Sequence, residues 1–165
     1  MLEDIDKVAL QGELRRQLEQ ELEHLLRAQR STQDGATHEE SRPENDKDTR
    51  ALESTYLARG LSERVAALEN GLVAVRGLQA RSFGEDDPVA LGALVCVEFE
   101  GQPEPACYLL AAAGAGIKLV AHGLTIHTLT PKSPVGKALI GRYLDDEVEY
   151  KTPQGTRRGT LIALC

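Results

Sequence analysis

The chain has 165 residues, 41% of them apolar, and a formal net charge of −7. That length fits one or two small domains with a modest core. The negative charge argues against a stand-alone nucleic-acid binder, and 4% aromatic content without tryptophan argues against a pocket walled by aromatic rings.

The charge is unevenly placed. Residues 1–80 carry eleven basic against sixteen acidic side chains, whereas residues 106–165 carry seven against four. An acidic arm joined to a mildly basic C-terminal part is the expectation. The start, MLEDIDK, lacks an apolar signal core, and no apolar run is long enough to span a bilayer. Cys96, Cys107 and Cys165 form no C-x-x-C pair and are odd in number. They read as reduced core or terminal residues of a cytoplasmic protein without membrane contact.

From about Glu3 to Glu39 the apolar residues Leu10, Leu14, Leu18, Leu22 and Leu25 or Leu26 recur at spacings of three and four, which predicts a helix. Gly12 and Gly35 weaken it locally, and Gly35 is a candidate early end. A second helix is predicted from about Arg42 to Leu78. Leu61, Val65, Leu68, Leu72 and Val75 form a coiled-coil seam on it, continued by the small residues Ala51, Ser54 and Ala58. Two such stripes need partners, and the nearest partner is each other. The reading is an antiparallel coiled-coil hairpin over residues 1–80, in a monomer.

At the bend, Ser41-Arg42-Pro43-Glu44 fits the S-x-x-E capping box, with Pro43 in the first turn. Asp46 and Asp48 sit where the helix dipole favours anions. Residues 34–48 nevertheless hold six carboxylates (Asp34, Glu39, Glu40, Glu44, Asp46, Asp48) against two bases, more than a cap needs. Two readings stand side by side: capping and solubility, or a tip that delivers carboxylates to a cation such as Mg²⁺, which favours hard oxygen ligands. His38 has no H-x-x-x-H or H-E-x-x-H spacing to make it a ligand.

The period changes after Leu78. "SFGEDDP" (Ser82–Pro88) is turn chemistry and the expected domain boundary. Short strands are predicted at Leu91–Phe99, Ala106–Ala111, Ile117–Val120, Leu124–Thr130, Glu147–Lys151 and Thr156–Leu164. "SPVGKALIG" (Ser133–Gly141) reads as a short helix, with a serine cap, proline at its first position and glycine after its end. "TPQGT" (Thr152–Thr156) reads as a hairpin turn. Gly114 and Gly116 fit neither phosphate-loop spacing and read as a turn; His122 and His127 read as structural. Residues 81–165 are thus an antiparallel-sheet domain, and the chain is α+β.

"TPKSPVGKALIGRYLDDEVEYKTPQG" (Thr130–Gly155) and the tip "RPENDKDTRALE", with Glu44-Asn45, resemble the bacterial Gre transcription elongation factors, GreA and GreB. The resemblance implies an FKBP-like C-terminal domain that docks at the rim of the RNA polymerase secondary channel. It implies a coiled coil that enters the channel, where tip carboxylates help hold a second Mg²⁺ at the polymerase active site and backtracked nascent RNA is cut by the polymerase. Carried over, Glu44 is the catalytic and metal-site carboxylate, while Lys132, Ser133 and Pro134 form the partner-binding segment. No cofactor is bound by the chain alone, and it is not itself an enzyme.

Two positions depart from the family pattern. Ser41 stands where the cleavage factors carry an acidic residue, three positions before the tip glutamate. Lys132 stands where relatives often have Asp or Asn. The expectation is therefore a secondary-channel factor that is non-catalytic or weakly cleavage-stimulating. The alternatives are a full transcript-cleavage factor and, from another class, an FKBP-like peptidyl-prolyl isomerase.

Overall fold

The computed structural model describes Leu2, residues 4–39 and residues 47–165 of the chain. Helices α1 (Lys7–Glu39) and α2 (Lys47–Arg76) are followed by strands β1 (Leu94–Phe99), β2 (Ala106–Leu110), β3 (Lys118–Ala121) and β4 (Leu124–Leu129). Helix α3 (Pro134–Leu139) then precedes β5 (Glu147–Thr152) and β6 (Gly155–Leu164). Among the described residues the chain divides into two compact units. One is Arg16–Val73; the other joins Met1–Arg15 with Ala74–Cys165.

Asp6 starts α1: its carboxylate accepts the Ala9 amide at 3.0 Å, a cap that satisfies one orphan donor. The helix runs through Gly35, so that glycine does not end it. In the helical unit the apolar part of the expected seams is buried or half-buried, whereas Ala51 of the small-residue continuation is exposed. Leu18 and Leu25 of α1 are buried, as are Val65 and Leu72 of α2, while Leu61 and Leu68 are half-buried. Gln29 donates to the Ser62 hydroxyl at 2.9 Å, and Arg64 reaches Glu21 at 4.0 Å, so the two helices pair as an antiparallel hairpin. Toward the bend the packing thins. Leu52, Tyr56 and Leu57 are 55%, 65% and 57% exposed.

The other unit is built on a six-stranded sheet of order β3-β4-β2-β1-β6-β5. The sheet is mixed rather than wholly antiparallel, because β2 pairs parallel to β4. The reason is local. The β3–β4 hairpin turns on His122 and Gly123, both at positive φ, and it inserts with β3 on the outer edge. That leaves β4 beside β2 and running in its direction. Alternate residues of the strands face a core formed by Phe83, Val89, Val95, Val97, Phe99, Leu110, Leu139, Val148 and Leu161, to which α3 contributes Leu139.

The first residues of the chain belong to this unit. Leu2 and Ile5 are buried, the Cys165 thiol lies 3.5 Å from the Leu2 carbonyl, and the Lys7 ammonium donates to the Arg81 carbonyl at 2.7 Å. Lys7 and Arg81 both stand over the Phe83 ring, at 4.8 Å and 4.1 Å from its centre.

The expectation that all three cysteines are reduced does not hold. The β1–β2 register places Cys96 opposite Cys107, with Cα atoms 4.2 Å apart, and their sulfurs are bonded. They stand eleven positions apart in sequence, a spacing that signals nothing until the hairpin register is known.

Candidate functional site

Glu44, the carboxylate expected at the tip, lies outside the described residues, as do Ser41 and Asp46. Among the described residues no cluster of three or more His, Cys, Asp or Glu side chains is placed to hold a metal ion. His122 occupies the β3–β4 turn at φ 49°, and His127 lies on β4 with its ring 6.5 Å from that of Tyr108.

The second expected site, Lys132-Ser133-Pro134, is a defined piece of geometry at the start of α3. Ser133 is the N-cap, with φ −68° and ψ 154°. Its hydroxyl accepts the Gly136 amide at 3.0 Å and donates to the Thr130 carbonyl at 2.8 Å. Pro134 follows in the first turn, where its missing N–H is no loss. Gly136 is buried against the Thr130 carbonyl so closely that a Cβ would overlap it. These contacts fold the loop 130–133 under the helix and leave Lys132 and Pro134 on the outside. Ser133 therefore acts on the shape of the segment, and the groups it presents outward are those of its neighbours.

The far end of α3 is tied down as firmly. Gly141, at φ 79°, donates to the Val89 carbonyl at 2.8 Å, and the Val89 amide donates to the Arg142 carbonyl at 2.8 Å. Beside this double bridge Leu91, Ile140 and Tyr143 are 39%, 39% and 47% exposed. Residues 130–142 hold Lys132, Lys137 and Arg142 and no carboxylate. The α3 segment is thus a fixed, basic, partly apolar surface.

Charge of the opposite sign gathers on another part of the sheet, which sequence reasoning missed. In the β1–β6–β5 register Thr160 lies between Glu98 and Glu147, and Arg158 pairs with Glu149. With Glu100 these side chains line an open cleft of about 350 Å³. The Arg158–Glu149 hydrogen bond, 2.8 Å long, is the main reason the guanidinium holds its proton more firmly than usual, with Glu100 and Glu147 adding to it. The signal lay in the alternation of "EVEYK" and "VEFE", which puts four glutamates on one face of neighbouring strands.

The chain is thus an α+β protein with a helical hairpin and a mixed sheet that carries a capped, basic α3 surface. Residues 84–164 match the family model described as "Transcription elongation factor, GreA/GreB, C-term". The globular half carries that family's C-terminal domain, and the match supports a Gre-like transcription elongation factor. Solved structures with similar folds include Gfh1 of Thermus aquaticus (19% identity, 90% of this chain and 92% of that one, TM-score 0.38). Gfh1, the GreA factor homolog 1 of Thermus thermophilus, is another (20% identity, 92% and 94%, TM-score 0.39). A prokaryotic elongation factor GreA/GreB from Nitrosomonas europaea is 21% identical over 59% of this chain and 78% of that one, with TM-score 0.35. No curated protein matches the chain.

Proposed function

We propose that the chain binds RNA polymerase at the rim of its secondary channel through the α3 segment, and modulates elongating or backtracked complexes through the tip of its helical hairpin. Support for the docking half comes from the family match over residues 84–164 and from the rigid presentation of Lys132 and Pro134 by the Ser133 cap. Support for the modulatory half comes from the sequence of the bend. Glu44 is kept, but Ser41 brings no charge to a position where cleavage factors of the family have an acid. Mg²⁺ binds carboxylate oxygens in near-octahedral geometry and gives up water reluctantly, so one carboxylate adds little to a shared metal site. Any hydrolysis of RNA would be the chemistry of the polymerase, with the factor at most stimulating it.

The single observation that carries this reading is the match of the globular half to the Gre C-terminal domain. A transcript-cleavage assay on stalled polymerase complexes, run beside a pull-down of purified RNA polymerase with the full chain, tests it. The expected result is retained binding with weak or absent cleavage. Vigorous Mg²⁺-dependent cleavage that Glu44→Gln abolishes would establish a full cleavage factor instead. Loss of binding altogether would overturn the polymerase assignment. Ser41→Asp is expected to raise cleavage.

A further inference from the structure

We infer that the Cys96–Cys107 pair is a redox-set staple of the globular unit: its state is fixed while the β1–β2 seam is open and is retained once the sheet closes.

In the order β3-β4-β2-β1-β6-β5, the β1–β2 seam divides the sheet into two halves of three strands. Strand β3 reaches the rest of the sheet only through β4, and β4 only through β2. The disulfide joins the two strands that meet at this seam, so it cross-links the halves at their junction. A cross-link there restricts the unfolded chain and favours the folded one.

Burial then governs the kinetics. Cys96 is 7% and Cys107 5% exposed. Exchange requires a thiolate to attack a disulfide sulfur in line, so a small thiol outside the sheet has no approach to either atom until the seam opens. The oxidant class is a low-molecular-weight disulfide such as oxidised glutathione. One cysteine thiolate attacks it, forming a mixed disulfide and releasing one glutathione thiolate. The second cysteine attacks the protein-side sulfur of the mixed disulfide and releases the other. One S–S bond breaks in glutathione and one forms in the protein, and the two cysteine protons end on the two glutathione thiols.

The test uses the full chain, refolded from denaturant in oxidised or in reduced glutathione, quenched by alkylation under denaturing conditions and mapped by peptide mass. Oxidised refolding is expected to protect Cys96 and Cys107 as one cross-linked peptide pair and to leave Cys165 alkylated. The oxidised form is expected to melt about 10 °C above the reduced form. Added to the folded oxidised protein, millimolar reduced glutathione is expected to cleave the bond at least about a hundredfold more slowly than in denaturant, as the population of the open seam dictates. Cys96→Ala/Cys107→Ala is expected to melt at or below the reduced form in both buffers. If that variant does not fold, the two wild-type melts still decide. The inference is overturned if all three thiols stay alkylatable after oxidised refolding, if Cys165 is the cross-linked residue, if the two forms melt together, or if folding does not slow reduction.

Discussion

The Ser133 hydroxyl accepts the amide hydrogen of Gly136 at 3.0 Å, and this one contact starts the helix that carries the proposed docking surface. Removing it by Ser133→Ala is expected to cost about 1 kcal/mol of the unit's stability, the usual worth of an N-cap. Gly136→Ala is expected to cost more, about 1–3 kcal/mol, because the new methyl would collide with the Thr130 carbonyl and backbone must move. Urea denaturation read by far-ultraviolet circular dichroism gives both values. Equal effects would mean that the loop relaxes freely around residue 136.

Stability within the helical unit is expected to fall toward the bend. Leu18, Leu25, Val65 and Leu72 are buried, whereas Leu52, Tyr56 and Leu57 lie open to solvent. Leu72→Ala is expected to destabilise by about 2–5 kcal/mol, and Leu57→Ala to change stability by no more than about 0.5 kcal/mol. Native-state hydrogen exchange offers a direct reading: amides of residues 50–60 are expected to lose protection well before those of residues 65–72. Uniform protection along α2 would contradict it.

Alkaline pH is expected to weaken the globular unit through Tyr108. Burial first, and Tyr150 second, push its phenol up to about 12 from an ordinary 10.0, with Arg157 pulling slightly the other way. The folded state therefore holds this proton where the unfolded state has lost it. The contribution is complete below pH 10 and disappears as pH rises to about 12. Lys7 acts with opposite sign in a neighbouring range. Its ammonium is held below 10.5, mainly by burial; Cys165 opposes the shift and Arg81 adds to it, so stability gained from Lys7 rises with pH between its folded value and 10.5. Tyrosinate absorbance is well suited to the measurement, since the chain has four tyrosines and no tryptophan. Tyr108→Phe is expected to remove the late-titrating component and to flatten the loss of stability between pH 10 and 12. An unchanged titration curve would refute the assignment.

What could be read in the sequence, and what could not, follows the range of the interactions. Ser133, Pro134 and Gly141 mark the ends of α3 because capping chemistry is local, and the helix falls at Pro134–Leu139 inside them. The seam of Val65 and Leu72 was legible for the same reason: its period lies within a few turns. The parallel pairing of β2 with β4 was not legible, since Cys107 meets Ile126 only after a hairpin inserts on the outside. The disulfide was missed because its partners meet by register, and register is not written in the spacing of two cysteines. The acidic row of Glu98 and Glu147 was visible as alternation within each strand, but its assembly across Thr160 needed the strand order.

The charge of the proposed docking surface sets the sign of its contact. Lys132 is exposed, and residues 130–142 contain three bases and no acid, so the proposed docking calls for an acidic patch on the partner. Binding to the cognate polymerase is then expected to weaken as salt rises, because charges at an exposed rim are screened over about 8 Å at physiological ionic strength. Lys132→Asp reverses one charge without touching the Ser133 cap. It is expected to weaken binding at least about tenfold, mainly through slower association, and to make the salt dependence shallower. Surface plasmon resonance across a salt series separates these effects. Tighter binding by Lys132→Asp would show that the partner surface is itself basic at this point and that the lysine limits the contact.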